Sequence, residues 1–294
     1  MNRVRKQIHY SRAEKEQLTG YHIGVGVLDS GIFPHEDLKD QIRAFRDFTN
    51  KYQLPYDETG HGTHVCGILA GNGRVLHGKY KGMAPCCDLY VGKILNKRGE
   101  GSLKTLLRGL QWLLSIAESC KIRVINISVS SIASARPEEQ RKLYELFQYA
   151  YENNILIVTA AGNFGPGDNT ISRLGDTPYV ICVGCHDGDL ENGGLRCQDC
   201  SGRGPGENVW KKPDVVAPGT QIISCQAAYG KYVARSGTSM ATPIVSGLLA
   251  LACEKYPYLT AMQLKRKLIL SATDLGESYL MQGAGMVDVE KMLS

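Results

Sequence analysis

The chain has no run of about 20 consecutive apolar residues, the length a membrane-spanning helix requires. Its first stretch, Met1 to Leu18, also lacks the hydrophobic centre of an export signal. A cytoplasmic protein with no membrane partner is therefore expected, with a trimmed, secreted form as the alternative. Charge of one sign is scarce, since 34 Lys and Arg face 29 Asp and Glu for a net charge of +5. Arg3, Arg5, Lys6, Arg12 and Lys15, set against Glu14 and Glu16, account for +3 of that excess. Only Tyr10 places an aromatic ring among these charges, so a solvated basic tail is expected and no nucleic-acid surface. No linker-like stretch interrupts the 294 residues. One domain over 21–294, preceded by an N-terminal extension over 1–20, is the expected organisation.

Cysteine is not scarce. Ten cysteines in a short exported chain would suggest a disulfide scaffold, but here they are dispersed over a large domain. Cys182-x-x-Cys185 and Cys197-x-x-Cys200 repeat the spacing of a four-thiolate zinc site. Against chelation, Val180 to Cys185 reads as a buried strand, where residues three apart face opposite ways. Small core thiols are the favoured reading, zinc the second and a disulfide the third.

Apolar periodicity alternates between strand and helix. Tyr21 to Leu28, Asp88 to Leu95, Arg123 to Val129 and Ile155 to Ala160 read as strands, and Ser102 to Ser119 and Pro137 to Asn153 as amphipathic helices. That alternation predicts an α/β fold, a three-layer sandwich with a mostly parallel central sheet and helices on both faces. Functional groups of such sheets gather at the carboxyl ends of the strands.

Four short stretches fall at such ends or at helix starts. Asp29-Ser-Gly follows the first strand, and His61-Gly-Thr-His64 opens a glycine-rich helix. Ala161-Gly-Asn163 follows the ILIVTA strand, and Gly237-Thr-Ser239-Met-Ala-Thr-Pro precedes a long apolar helix. Each alone reads equally well as a cap or turn. His61 and His64 stand three residues apart without the Glu of a zinc-peptidase helix, so that reading fails and His64 is taken as structural.

Taken together and in order, the four stretches resemble the subtilisin-like serine peptidases, from about Ile23 to about Val289. The layout is similar to the short intracellular bacterial members. The order acid, base, nucleophile differs from that of α/β-hydrolases, which need a His after the nucleophile, and His186 is the last His in the chain. The resemblance implies an endopeptidase in which Ser239 is the nucleophile, His61 the base and Asp29 the orienting acid. It also implies an oxyanion hole from Asn163 supported by Thr238. Ser128, Val129 and Ser130, with Ala160, Ala161 and Gly162, would line an extended polypeptide substrate.

Departures from the family pattern narrow what is carried over. Ser128-Val129-Ser130-Ser131 replaces a glycine-rich wall, and Ser172 and Arg173 replace a glycine-containing pocket base. A narrowed or positively lined pocket follows, and with it a selective processing peptidase for one partner or leader peptide as an alternative. A non-catalytic peptide-binding or regulatory member is the other alternative. Gly71 to Gly82 does not match the family's Asn-rich calcium loop, although Asp37 matches one acidic ligand. No cofactor is required, calcium is left open without ligands, and the extension over 1–20 is a candidate inhibitory or cleaved segment. Cys66, five residues beyond His61, reads first as a small buried residue and second as a thiol whose modification would affect activity.

Overall fold

The computed structural model describes residues 1–50, 52–129, 136–188, 196–206 and 210–294. In chain order the strands are β1 (Gly24–Asp29), β2 (Ile42–Asp47), β3 (Asp88–Lys93), β4 (Ile122–Ile127), β5 (Leu156–Ala160), β6 (Val180–Cys185), β7 (Val215–Ala217), β8 (Ile222–Cys225) and β9 (Tyr232–Arg235). The helices are α1 (Asn2–Gln7), α2 (Ser11–Lys15), α3 (His61–Ala70), α4 (Leu103–Ile116), α5 (Pro137–Glu152), α6 (Cys197–Cys200), α7 (Thr238–Lys255), α8 (Ala261–Ser271), α9 (Tyr279–Gln282) and α10 (Val289–Met292). Seven strands form one sheet in the order β2-β3-β1-β4-β5-β6-β7, and every neighbouring pair is parallel. β8 and β9 make a separate antiparallel hairpin.

The strands are apolar on both faces because helices cover both. Val25, Val27, Leu89, Val91, Leu156, Val158, Ile181 and Val183 join the core shared with α3 and α7. Their neighbours Leu28, Tyr90, Ile125, Ile157 and Val180 face the other way into the core shared with α4 and α5. Gly26 sits where α4 approaches the sheet; a Cβ there would meet Leu113 at 2.6 Å. α4 begins where its sequence signals, with Ser102 Oγ accepting from Thr105 N at 3.1 Å and Thr105 Oγ1 accepting from Ser102 N at 3.2 Å. The expected layered α/β architecture is what the chain forms.

The N-terminal stretch departs from the solvated tail expected of it. Met1, Val4 and Ile8 recur at helical spacing and are buried in the larger core together with Tyr10 and Ala13. Arg5 lies over the Tyr10 ring at 4.3 Å and donates to the Gly82 carbonyl at 2.6 Å, and the Tyr10 hydroxyl donates to the Met83 carbonyl. Val289 N donates to Ile8 O at 2.8 Å, tying the first helix to α10. The basic residues dominate the composition of this segment, but three apolar side chains on one stripe decide where it goes. Among the described residues, no helix is long and apolar enough to cross a membrane.

Candidate active site

β1 ends in Asp29, which is wholly buried, and α3 begins at His61. Asp29 Oδ1 lies 2.7 Å from His61 Nδ1 and also accepts from Ser30 N at 2.7 Å. Because the carboxylate can only accept, it fixes the proton on Nδ1 and leaves Nε2 as the acceptor. The His61 side chain keeps 24 % exposure, so one edge of the ring faces the cleft. Burial disfavours the imidazolium, yet the charge and hydrogen bond of Asp29, with help from Asp57, outweigh burial and the nearby Arg235 cation. The net effect raises the His61 pKa.

Ser239 stands in the first turn of α7, and both it and His61 line a cleft of about 480 Å³. Its hydroxyl donates to the Ser128 carbonyl at 2.8 Å. Pro243, four residues on, has no N–H to give to the Ser239 carbonyl, so the helix lacks that bond. Gly237, the residue just before the helix, has φ 138°, and a Cβ there would come within 3.3 Å of the Asn163 amide nitrogen. Only glycine meets both demands.

Asn163 is turned by Thr238. The Thr238 N–H and hydroxyl donate to Asn163 Oδ1 at 3.0 and 3.1 Å, so the oxygen end of the amide is committed and Nδ2 is the end left to donate. Ser128 and Val129 line the cleft. Ser128 is in turn braced by Asn126 at 2.9 Å, which accepts from Ser246 of α7 at 2.8 Å. Ser130 lies outside the described residues.

At Ala160 to Gly162 each carbonyl already has a partner within the fold. The Ala160 carbonyl accepts from Ser172 Oγ at 2.6 Å, that of Ala161 from Ser172 N at 2.7 Å and that of Gly162 from Gly202 N at 2.7 Å. These bonds hold the segment that follows β5 against Ser172 and Gly202.

A match to the model of the Subtilase family runs over residues 20–287. This chain belongs to the subtilase family. Serine protease AprX of Bacillus subtilis (strain 168) is 35% identical over 299 residues, covering 94% of this chain and 67% of its own. Intracellular serine protease of Paenibacillus polymyxa is 34% identical over 92% of this chain and 80% of its own. Among solved structures, sphericase superposes with a TM-score of 0.79 at 30% identity, covering 92% of each chain. The subtilase is accordingly a serine endopeptidase acting on peptide bonds, and its fold is the subtilisin-like α/β sandwich.

Several residues that hold the subtilase site escaped the sequence reading. Asp57 is buried and gathers five donors: Ser30 Oγ at 2.8 Å, Gly60 N at 2.9 Å and Thr59 Oγ1 at 3.3 Å on one oxygen, Thr63 N at 2.8 Å and Thr63 Oγ1 at 2.7 Å on the other. Ser30 Oγ also accepts from Gly62 N at 2.9 Å. The turn after Asp29 and the turn that carries His61 are thereby tied to one carboxylate. An acid just ahead of a glycine-rich helix start was the available signal. Lys93, opposite Asp29 in the β1–β3 register, is fully buried and donates to Ser30 O at 2.6 Å while pairing with Glu58 at 2.9 Å. His64 is structural: Nε2 faces the carbonyls of Ile222 and Val233 at 3.0 Å each, fastening α3 to both strands of the β8–β9 hairpin, and burial lowers its pKa to about 3.

The cysteine pairs of this subtilase do not converge on one point. Cys185 and Cys197 are joined as a disulfide, the option ranked last in the sequence. Cys182 occupies the other face of β6, where it meets Gly175, and Cys200 Sγ donates to Cys197 O at 3.3 Å. Strand alternation places Cys182 apart from Cys185, and the Cys185–Cys197 bond uses two of the four sulfurs, an arrangement that fits the favoured reading of small core thiols for Cys182. Cys66 is fully buried, and burial pushes its thiol well above the ordinary range, so the reactive-thiol expectation does not fit its surroundings. Asp37, the residue matching a calcium ligand, is satisfied by protein donors, Val75 N at 3.0 Å and Tyr232 OH at 2.6 Å. It shares the one metal-sized group among the described residues with His35 and Cys225, and both His35 ring nitrogens already have backbone partners.

Proposed function

We propose that Ser239 attacks the carbonyl carbon of the scissile peptide bond while His61 Nε2 takes the hydroxyl proton. His61 then returns that proton to the leaving amine, and water repeats the sequence to release the acyl group from Ser239. Asp29 holds the Nδ1–H tautomer and stabilises the imidazolium. Asn163 Nδ2 and the Ser239 backbone N–H receive the oxyanion, with Thr238 orienting the amide. Rotation of the Ser239 hydroxyl from the Ser128 carbonyl toward His61 sets up the attack; catalytic hydrogen bonds of this kind commonly tighten only when substrate arrives. The substrate is a polypeptide lying extended along Ser128 and Val129. A cytoplasmic site of action suits the free buried thiols Cys66, Cys87, Cys182, Cys225 and Cys253 and the relative named an intracellular serine protease, whereas the Cys185–Cys197 disulfide suits an oxidising compartment.

The observation that carries this reading is the 2.7 Å contact between buried Asp29 and His61 at the edge of the cleft that also holds Ser239. Intact-mass measurement after treatment with a fluorophosphonate tests it. One probe mass on the native chain and none on Ser239→Ala is expected; an unlabelled native chain would overturn the assignment.

A further inference from the structure

The cleft beside Ser239 is lined by three cations, Lys97, Arg98 and Arg235, and, among the described residues, by no carboxylate. We infer that this peptidase selects polypeptides with acidic side chains flanking the scissile bond, and that these three residues read them. The inference rests on Ser239 as the nucleophile.

Among the described residues, no ion pair compensates the three cations. Arg43, Arg74 and Lys212 each have a carboxylate within 2.7 Å, whereas Lys97, Arg98 and Arg235 have none within ion-pair distance among the described residues. The neighbouring acids are engaged elsewhere: Glu58 pairs with Lys93 at 2.9 Å, and Glu100 accepts from Asn96 at 3.1 Å. Arg235 spends one nitrogen on the Thr59 carbonyl at 2.9 Å while its side chain lines the cleft. A guanidinium carries five N–H donors, so one anchored by a single nitrogen beside the base keeps others for a carboxylate.

The backbone that carries these charges is held in place. Arg235 closes β9, paired with Ile222 of β8. Lys97 and Arg98 ride a tight turn in which Asn96 Oδ1 accepts from Arg98 N at 2.8 Å and Glu100 N at 3.1 Å, and Leu95 bridges to Gly101 at its base. Substrate binding then has to order the side chains and not the turn beneath them. A groove of one sign also concentrates oppositely charged substrates and speeds their capture.

Fluorogenic peptides made in Glu/Gln pairs, varied one position at a time on each side of the scissile bond, test the inference, with active sites counted beforehand by the fluorophosphonate. At low salt the Glu peptide is expected to exceed its Gln partner in kcat/KM by about tenfold at the best position, the scale of one partly desolvated charge contact. The ratio should shrink in about 0.5 M salt, where screening shortens the reach of the charges. Arg235→Gln should lower the ratio at one position, Lys97→Gln with Arg98→Gln should lower it at another, and Arg235→Glu should turn the preference toward Lys peptides. Equal rates for Glu and Gln peptides on fully labelled enzyme, or a preference that persists in all of these variants, would overturn the inference alone. Failure of the probe to label the chain would overturn the nucleophile assignment and this inference with it.

Discussion

Thr238 donates both its N–H and its hydroxyl to the side-chain oxygen of Asn163, at 3.0 and 3.1 Å, and this decides which end of the amide can meet a substrate. Asn163→Ala should therefore lower kcat by about 10²- to 10³-fold, the loss measured for an oxyanion-hole amide in subtilisin, with KM little changed. Thr238→Val keeps one of the two donors and should cost less. Steady-state kinetics on one peptide separates the two, and a kcat loss as large for Thr238→Val as for Asn163→Ala would show that Thr238 does more than orient the amide.

His61 must be neutral to accept the Ser239 proton, so activity should rise with pH and level off once the ring is deprotonated. Burial lowers the pKa, but the Asp29 charge and hydrogen bond overcome it, which places the midpoint above the ordinary value of about 6.5. Asp29→Asn removes the stabiliser of the imidazolium, so the midpoint should move down while turnover falls by about 10⁴-fold, as for the equivalent change in trypsin-like enzymes. The pH profile of kcat/KM checks both signs.

Asp57 accepts five donors from the turns on either side of His61. Asp57→Asn turns one oxygen into a donor that faces other donors, at a cost of about 2–4 kcal/mol in unfolding free energy. Because Asp57 also favours protonated His61, the kinetic midpoint should shift down. Denaturant unfolding and a pH profile on the same variant distinguish a positioning role from lost stability, since lost stability alone leaves the midpoint of the folded fraction in place.

Removing residues 1–18 takes Met1, Val4, Ile8, Tyr10 and Ala13 out of the larger core. Each large apolar side chain contributes about 1.5–3 kcal/mol when buried, so a loss of several kcal/mol and a lower Tm are expected. None of these residues lines the cleft. A truncated chain that keeps its Tm and gains activity would instead support the inhibitory role suggested by sequence.

Burial raises the thiols of Cys66, Cys87, Cys182, Cys225 and Cys253 above their ordinary range. A folded pKa above the unfolded one gives stability that is complete below the unfolded value, about 8.5, and is lost as pH rises beyond it. Unfolding free energy should fall steeply above that pH, and less steeply in Cys253→Ala. In the native state a thiol reagent should reach Cys86, Cys120 and Cys200 while activity is retained, because Cys66 is sealed from solvent. Mass mapping of the labelled cysteines reads this directly.

The strands and their covering helices were legible because local periodicity reports what faces a core: ILIVTA is apolar but for Thr159 since α5 and α7 press on its two faces. The catalytic candidates were legible because a strand end or helix start with glycines carries a recognisable local pattern. Sequence determined the fold, the family resemblance and which side chains were worth placing. It did not reveal Asp57 as the tie between two turns, the gathering of Lys97, Arg98 and Arg235 at one cleft, or the burial of the N-terminal stripe. Hydrogen-bond partners, missing counter-charges and solvent exclusion are set by residues far apart in the chain, and only the tertiary structure brings those residues together. The same holds for the cysteines, where the paired spacing suggested a metal but the alternation of β6 sent Cys182 one way and Cys185 toward Cys197.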